Sequence, residues 1–135
     1  MPTAPVVFGP LTRTDLVRYA GASGDFNPLH HDLDFARQAG LADVMAHGML
    51  SAGLLGSALT GWFGAGSVRG YKARFLAPVW PGDVLTARCV SMTSDGPVRE
   101  LVLELARADG TAVLSATARV ADPEAAPPRG DQEKS

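Results

Sequence analysis

The sequence predicts a single α+β domain in which helices come first and antiparallel strands follow. Between residues 12 and 63, apolar side chains recur at helical spacing, and after Gly64-Ala65-Gly66 the pattern changes to alternation with a period of two. The dipeptide Asp109-Gly110 interrupts this alternation and is typical of a hairpin turn. A chain of 135 residues, 46% of them hydrophobic, can bury one core.

Two short helices are predicted before a longer one. Thr12 and Asp15 fit the N-cap and N3 positions of a capping box, and the helix that they start ends by Gly24. Asp32 can cap a second helix over residues 33–39.

The third predicted helix, Met49 to Phe63, carries apolar residues on all sides, so we expect it to be buried. Its interior residues Gly53 and Gly56 each cost about 1 kcal/mol relative to alanine. That cost suggests that another backbone packs close to the helix.

Four strands follow from the alternating part of the sequence. Residues 1–11 contain several prolines and are predicted to form an extended arm. Residues 122–135 are rich in proline and charge and are predicted to form a disordered tail. The domain therefore spans residues 1–121. The predicted strands are Ser67 to Phe75, Val84 to Met92, Val98 to Ala108 and Thr111 to Ala121.

Composition excludes several classes of protein. The single cysteine, Cys89, rules out an internal disulfide and fits the reducing cytoplasm, and the N-terminus shows no signal peptide. A net charge of −2, with no extended basic field, argues against nucleic acid as a partner, and no basic amphipathic helix points to a membrane.

The residues that suggest chemistry are concentrated in residues 21–50, which hold all 3 histidines. Asp25 and His30 flank Pro28, which cannot lie in a helix interior, so both belong to an ordered turn. Such a turn can direct a carboxylate and an imidazole at one point, as general acid–base catalysis requires. Gly48 stands where the third helix begins, and the free N–H groups of a helix start can hold negative charge.

The chain resembles the MaoC-like family of hot-dog-fold hydratases and dehydratases. The residues that carry the resemblance are Tyr19–His30, Ala46–Leu50 and Tyr71–Phe75. It is most similar to (R)-specific enoyl-thioester hydratases and to the catalytic subunit of (3R)-hydroxyacyl-thioester dehydratases. The resemblance implies a hot-dog fold, in which a sheet of about five strands wraps one buried helix.

The resemblance also implies roles for individual residues. Asp25 and His30 would be catalytic, and the N–H of Gly48 would bind the thioester oxygen. Asn27 and His47 join Gly48 as candidate substrate-binding residues, although Asn27 could instead lock the turn and His47 could be structural. The implied substrate is an acyl-CoA or acyl-carrier-protein thioester, with no metal or redox cofactor. The implied assembly is a homodimer, or a heterodimer with a related hot-dog subunit.

Several alternatives stay open at this stage. His31 should point away from His30, towards the surface. Asp25, His30 and His47 could bind a metal, although their spacing matches no metal motif on a regular element. A hot-dog thioesterase and a non-catalytic acyl-binding subunit are the rival functions.

Two features bear on the substrate rather than on the reaction. Some relatives carry a serine in the central helix where this chain has Gly56. Arg69, Lys72 and Arg74 form a basic cluster on one predicted strand, and alternation places Arg69 on the opposite side from the other two. The default interpretation is a solvated strand surface. The alternative is a docking point for the phosphates of the substrate.

Overall fold

The computed structural model describes residues 3–122, so the predicted tail lies, apart from Asp122, outside the described residues. A single antiparallel sheet packs against one long helix, which confirms the predicted α+β class. The strands are β1 Val6–Phe8, β2 Val68–Phe75, β3 Leu85–Asp95, β4 Val98–Arg107 and β5 Ala112–Ala121. The helices are α1 Arg13–Ser23, α2 Leu33–Gln38 and α3 Gly48–Phe63. Within residues 3–122, no helix is long and apolar enough to span a membrane.

The sheet has the strand order β1-β3-β4-β5-β2, so β1 and β2 form its two edges. Strands β3, β4 and β5 follow one another as a meander, and Gly110 at the predicted hairpin has a φ of 90°. The expectation of an arm without regular structure is wrong for β1, which pairs with β3 from Val6↔Ala87 to Phe8↔Leu85. Residues 6–8 lie between the prolines of the arm, so their N–H groups remain available for pairing.

The core lies between α3 and the inner surface of the sheet. Alternation along β4 buries Leu101, Leu103 and Leu105, each at most 1% exposed, while the intervening Val102 is 41% exposed. From α3, Leu55 and Leu59 pack into the same cluster. Strand β5 contributes Leu114, Ala116, Ala118 and Val120.

Helix α3 is the central helix of the fold, as predicted, with one side buried towards the sheet and the other side exposed in the single chain. Its buried stripe contains Leu55 and Leu59, whereas Met49 is 62% exposed. Apart from its chain neighbours and the adjacent turns of α3, no described atom lies within 4 Å of the position that a Cβ would occupy at Gly53, so no other backbone packs closely there. The exposed side of α3 carries Gly53, Ser57 and Thr60 together with Met49.

Local signals fix where α1 begins and ends. The hydroxyl of Thr12 accepts a hydrogen bond from the Asp15 N–H at 3.1 Å, and Oδ2 of Asp15 accepts from the Thr12 N–H at 2.8 Å, which confirms the capping box. Gly24 ends α1 with a φ of 74°, a left-handed conformation that glycine adopts without strain. The chain therefore leaves α1 at a defined angle and enters the turn that carries Asp25.

The alternation along β4 leads to a stability prediction. We expect Leu103→Ala to lower the free energy of unfolding by about 2–5 kcal/mol, because it removes a fully buried side chain from the central strand. The neighbouring Val102→Ala should lower it by less than about 1 kcal/mol. Urea denaturation followed by circular dichroism measures both values, and equal losses would contradict the assigned register.

Candidate active site

A ladder of side-chain hydrogen bonds holds the turn between α1 and α2. Oγ of Ser23 accepts from the N–H of Asp25 at 3.2 Å, and Oδ1 of Asp25 accepts from the N–H of Asn27 at 3.2 Å. Oδ1 of Asn27 then accepts from the N–H of Leu29 at 3.0 Å, which places Asn27 at the cap of the short 3-10 turn Pro28–His30. Short polar side chains that bond two residues ahead stabilise turns of this kind.

The ring of His30 is fixed by the backbone of a distant segment. Nδ1 of His30 donates to the carbonyl oxygen of Met45 at 2.7 Å, and the N–H of Met45 donates to the carbonyl of Leu29 at 3.0 Å. A carbonyl oxygen can only accept, so the proton of neutral His30 must lie on Nδ1. Nε2 therefore keeps its lone pair, as a general base requires.

Asp25 and His30 meet as the sequence predicts. Oδ2 of Asp25 lies 3.8 Å from Nε2 of His30. The Asp25 side chain is 51% exposed and the His30 side chain is 11% exposed, so solvent can reach the pair from the carboxylate side. The gap is too long for a direct hydrogen bond, but one water molecule at about 2.8 Å from each atom could donate to both.

His47 lies beneath this pair and is 1% exposed. Its Nε2 donates to the backbone carbonyl of Asp25 at 3.1 Å, and its ring stacks on that of His30 at a centroid distance of 3.7 Å. The ring of Tyr19 packs edge-on against it at 4.8 Å. Burial lowers the pKa of His47, so its neutral form is favoured. The structural role considered for His47 therefore fits its position better than a substrate contact.

The spacing of the three residues along the sequence argues against a metal site, but the fold brings their side chains together. Donor atoms of Asp25, His30 and His47 lie within 4.8 Å of one another. However, the two imidazoles stack with an interplanar angle of 24°. A metal ion binds a ring nitrogen in the plane of the ring. One ion could not lie in both planes unless a ring turned.

Gly48 is the first residue of α3 and lies at the edge of an apolar cavity of about 350 Å³. The N–H groups in the first turn of a helix have no partner within the helix, and they lie at its positive end. A Cβ at Gly48 would lie 3.0 Å from Cε1 of Phe75, so glycine leaves the space that this ring fills. Other residues that line the cavity include Met45, Ser51, Pro78 and Val113.

Residues 3–107 match the profile of the MaoC like domain, which covers most of the chain. The chain belongs to the MaoC-like family.

Relatives in the MaoC-like family carry informative names. An (R)-specific enoyl-CoA hydratase of Rhodospirillum rubrum is 36% identical over 94 residues, covering 68% of this chain and 65% of the relative. A 3-hydroxyacyl-thioester dehydratase Y of Mycobacterium tuberculosis is 40% identical over 79 residues, covering 56% of this chain and 27% of the relative. The chain thus spans less than two thirds of each of these relatives.

A solved structure shows the same fold. The (R)-hydratase from Aeromonas caviae, described as involved in PHA biosynthesis, superposes with a TM-score of 0.75. It is 28% identical, and the match covers 90% of this chain and 96% of that one.

Gly56 occupies the position in α3 where the resemblance would allow a serine. A Cβ at Gly56 would lie 3.7 Å from Cε1 of Tyr71, so an aromatic ring packs against this part of α3. The hydroxyl of Tyr71 donates to the carbonyl of Ala52 at 2.8 Å, and burial raises the pKa of Tyr71 to about 12. No local pattern in the sequence assigns Tyr71 a role, and only its place on the inner side of the predicted strand points to α3.

The remaining candidates lie outside this cluster. His31 is exposed, and its Nε2 approaches the carbonyl of Phe26 at 3.3 Å, as the prediction of a surface position requires. The basic residues Arg69, Lys72 and Arg74 are all exposed. A bulge between residues 68 and 70 interrupts the pairing at Arg69, so simple alternation does not decide which way it faces.

The buried state of His47 predicts a pH effect on stability. Its folded pKa is lowered from 6.5, so the unfolded chain takes up a proton first as the pH falls. The stability that depends on neutral His47 is complete above pH 6.5 and is lost as the pH drops below it. We expect His47→Phe to reduce the loss of unfolding free energy between about pH 7 and about pH 5. Denaturation curves at both pH values test this, and equal losses in the two proteins would contradict it.

Proposed function

We propose that this MaoC-like chain is a hydro-lyase that interconverts trans-2-enoyl thioesters and (3R)-3-hydroxyacyl thioesters. The observation that carries the proposal is the Asp25–His30 pair, with Oδ2 and Nε2 3.8 Å apart. The start of α3 and its apolar cavity adjoin the segment that holds His30. The names of the hydratase and dehydratase relatives support the same reaction.

In hydration, the pair would hold the attacking water. Oδ2 of Asp25 and Nε2 of His30 are both acceptors, so one water can donate a hydrogen bond to each and direct its lone pair at C3 of the enoyl group. The new C3–O bond forms as an O–H bond of the water breaks and its proton passes to the pair. The π electrons of the C2–C3 bond move towards the thioester carbonyl, and the proton then returns to C2.

Between these two events the thioester oxygen carries negative charge. The N–H of Gly48, at the positive end of α3, would donate to that oxygen. The apolar lining of the adjoining cavity lowers the local dielectric, which strengthens this hydrogen bond. Dehydration follows the same steps in reverse.

The proposed substrates are acyl thioesters of coenzyme A or of an acyl carrier protein, in fatty-acid or polyketide-type metabolism of the cytoplasm. A thioesterase would direct the same water at the thioester carbon instead. Incubation with crotonyl-CoA separates the two reactions, because hydration saturates the double bond and leaves the thioester intact, whereas hydrolysis releases a free thiol. Release of thiol without loss of the enoyl group would overturn the proposed function.

We also propose that the working form is a dimer, a homodimer or a pair with a related hot-dog subunit. The edge strand β2 and the open side of α3 are both exposed, and unpaired strand edges promote association. Large apolar side chains close to the catalytic turn and to Gly48 are exposed, namely Phe26 at 64%, Met49 at 62% and Phe75 at 55%. A partner on this side would cover them and enclose the substrate.

Substitutions at the pair test the chemistry. We expect Asp25→Asn and His30→Gln each to lower kcat on crotonyl-CoA by at least about 100-fold, because each removes a proton-transfer group. The double variant should be little worse than the poorer single one, because both groups act on one water. His31→Gln should stay within a few-fold of the wild type, and the reverse pattern for the two histidines would refute the site assignment. Circular dichroism confirms that each variant is folded.

A charge on the open side of α3 tests the dimer. Space around Gly53 is open in the single chain, so Gly53→Glu should leave the fold intact but produce a monomer by light scattering. Val90→Glu provides the control, because Val90 is 60% exposed on β3, which β4 and β5 separate from the edge strand β2, and this variant should remain a dimer. A wild-type monomer with full activity would contradict the proposed assembly.

A further inference from the structure

His47 contacts both members of the catalytic pair from below. It donates to the backbone carbonyl of Asp25 and stacks on the ring of His30, with its own ring 1% exposed. We propose that His47 is a positioning residue that sets the distance and direction between the Asp25 carboxylate and Nε2 of His30. This inference rests on the proposed function, because it assigns a part in that reaction to a residue that cannot reach the substrate.

The hydrogen bond of His47 defines its tautomer. The carbonyl of Asp25 can only accept, so Nε2 of His47 carries the proton. Nδ1 is buried and has no hydrogen-bond partner among the described residues. Protonation there would place an unpaired N–H and a charge in a buried space against the His30 ring, so His47 acts as a neutral donor.

Asp25 receives this bond from outside the turn, whereas its other hydrogen bonds are local. Its side chain is 51% exposed, and one carboxylate oxygen accepts from the Asn27 N–H at 3.2 Å within the same turn. The bond from His47 to the Asp25 carbonyl spans 22 positions and ties this exposed residue to the buried entry of α3. Without it, the carboxylate would be held by local contacts alone.

His30 depends on the ring of His47 in a different way. The bond from Nδ1 of His30 to the Met45 carbonyl fixes one atom of the ring but permits a tilt about that point. The stacked ring of His47, at an interplanar angle of 24°, covers one side of His30 and restricts that tilt. The direction of Nε2, on the far side of the ring from Nδ1, is thereby fixed towards Asp25.

Stability alone does not explain an imidazole at this position. An unpaired buried acceptor is destabilising, and a phenylalanine ring of similar shape would fill the same space without one. The donated N–H is the property that a phenylalanine lacks. It acts on Asp25, so its effect should be seen in turnover rather than in folding.

Two variants test the N–H group and the aromatic ring of His47 separately. His47→Phe keeps a stacked ring but removes the N–H, and His47→Gln keeps an N–H at a similar reach but removes the ring. We expect His47→Phe to lower kcat by about tenfold or more while KM changes less than about threefold, because misplacement of a reacting group slows chemistry without weakening binding. His47→Gln should recover part of that loss. His31→Phe, the same change at an exposed histidine that contacts another carbonyl of the turn, should leave kcat near that of the wild type.

The outcomes decide between positioning and a merely structural role. Wild-type kcat in folded His47→Phe, or a loss that disappears once only folded protein is counted by circular dichroism, would overturn the proposal. A second measurement needs no activity: the imidazole nitrogen spectrum of 15N-labelled protein should show His47 protonated on Nε2 and His30 on Nδ1. Protonation of His47 on Nδ1 instead would overturn the assignment. A wild-type protein inactive on enoyl thioesters would refute the proposed function, while the nitrogen spectrum would still decide whether His47 donates to Asp25.

Discussion

The hydrogen bond from Nδ1 of His30 to the carbonyl of Met45, at 2.7 Å, is the contact on which the rest of the site depends. It joins the turn after α1 to the segment that enters α3, two stretches otherwise separated along the chain. It also fixes the tautomer of His30, so that Nε2 faces Asp25 with a free lone pair. Because Met45 lies just before His47 and Gly48, the same bond brings the turn that holds Asp25 and the helix start to one place.

The sheet makes this arrangement rigid. Helix α3 packs its leucines against the buried side of β4 and β5, which fixes the position of its first turn. Phe75, at the end of β2, packs against the first residue of α3, where a Cβ on Gly48 would lie 3.0 Å from its ring. This contact links the helix start to the sheet. A preorganised N–H group is effective because it needs no rearrangement when charge develops.

The polar side chains of the site differ in how far they are exposed to solvent. The Asp25 carboxylate is half exposed and accessible to water, whereas His47 is buried and favours its neutral form. His30 lies between them, with one ring nitrogen bound to the backbone and the other free. This order leaves the Asp25 side of the pair open to solvent and places His47 on the buried side.

The sequence by itself determined every feature that depends on neighbouring residues: the capping box of α1, the turn around Pro28, the hairpin at Asp109-Gly110 and the alternation of β4. These features act within a few positions, so local chemistry specifies them. Asp25 and His30 were predictable because one turn holds both. Only the tertiary structure decided the pairing of β1, the open side of α3, the packing of Tyr71 beside Gly56 and the stacking of His47 under His30. Each of these joins segments distant in sequence, and such contacts depend on how the sheet packs against α3 rather than on any local pattern.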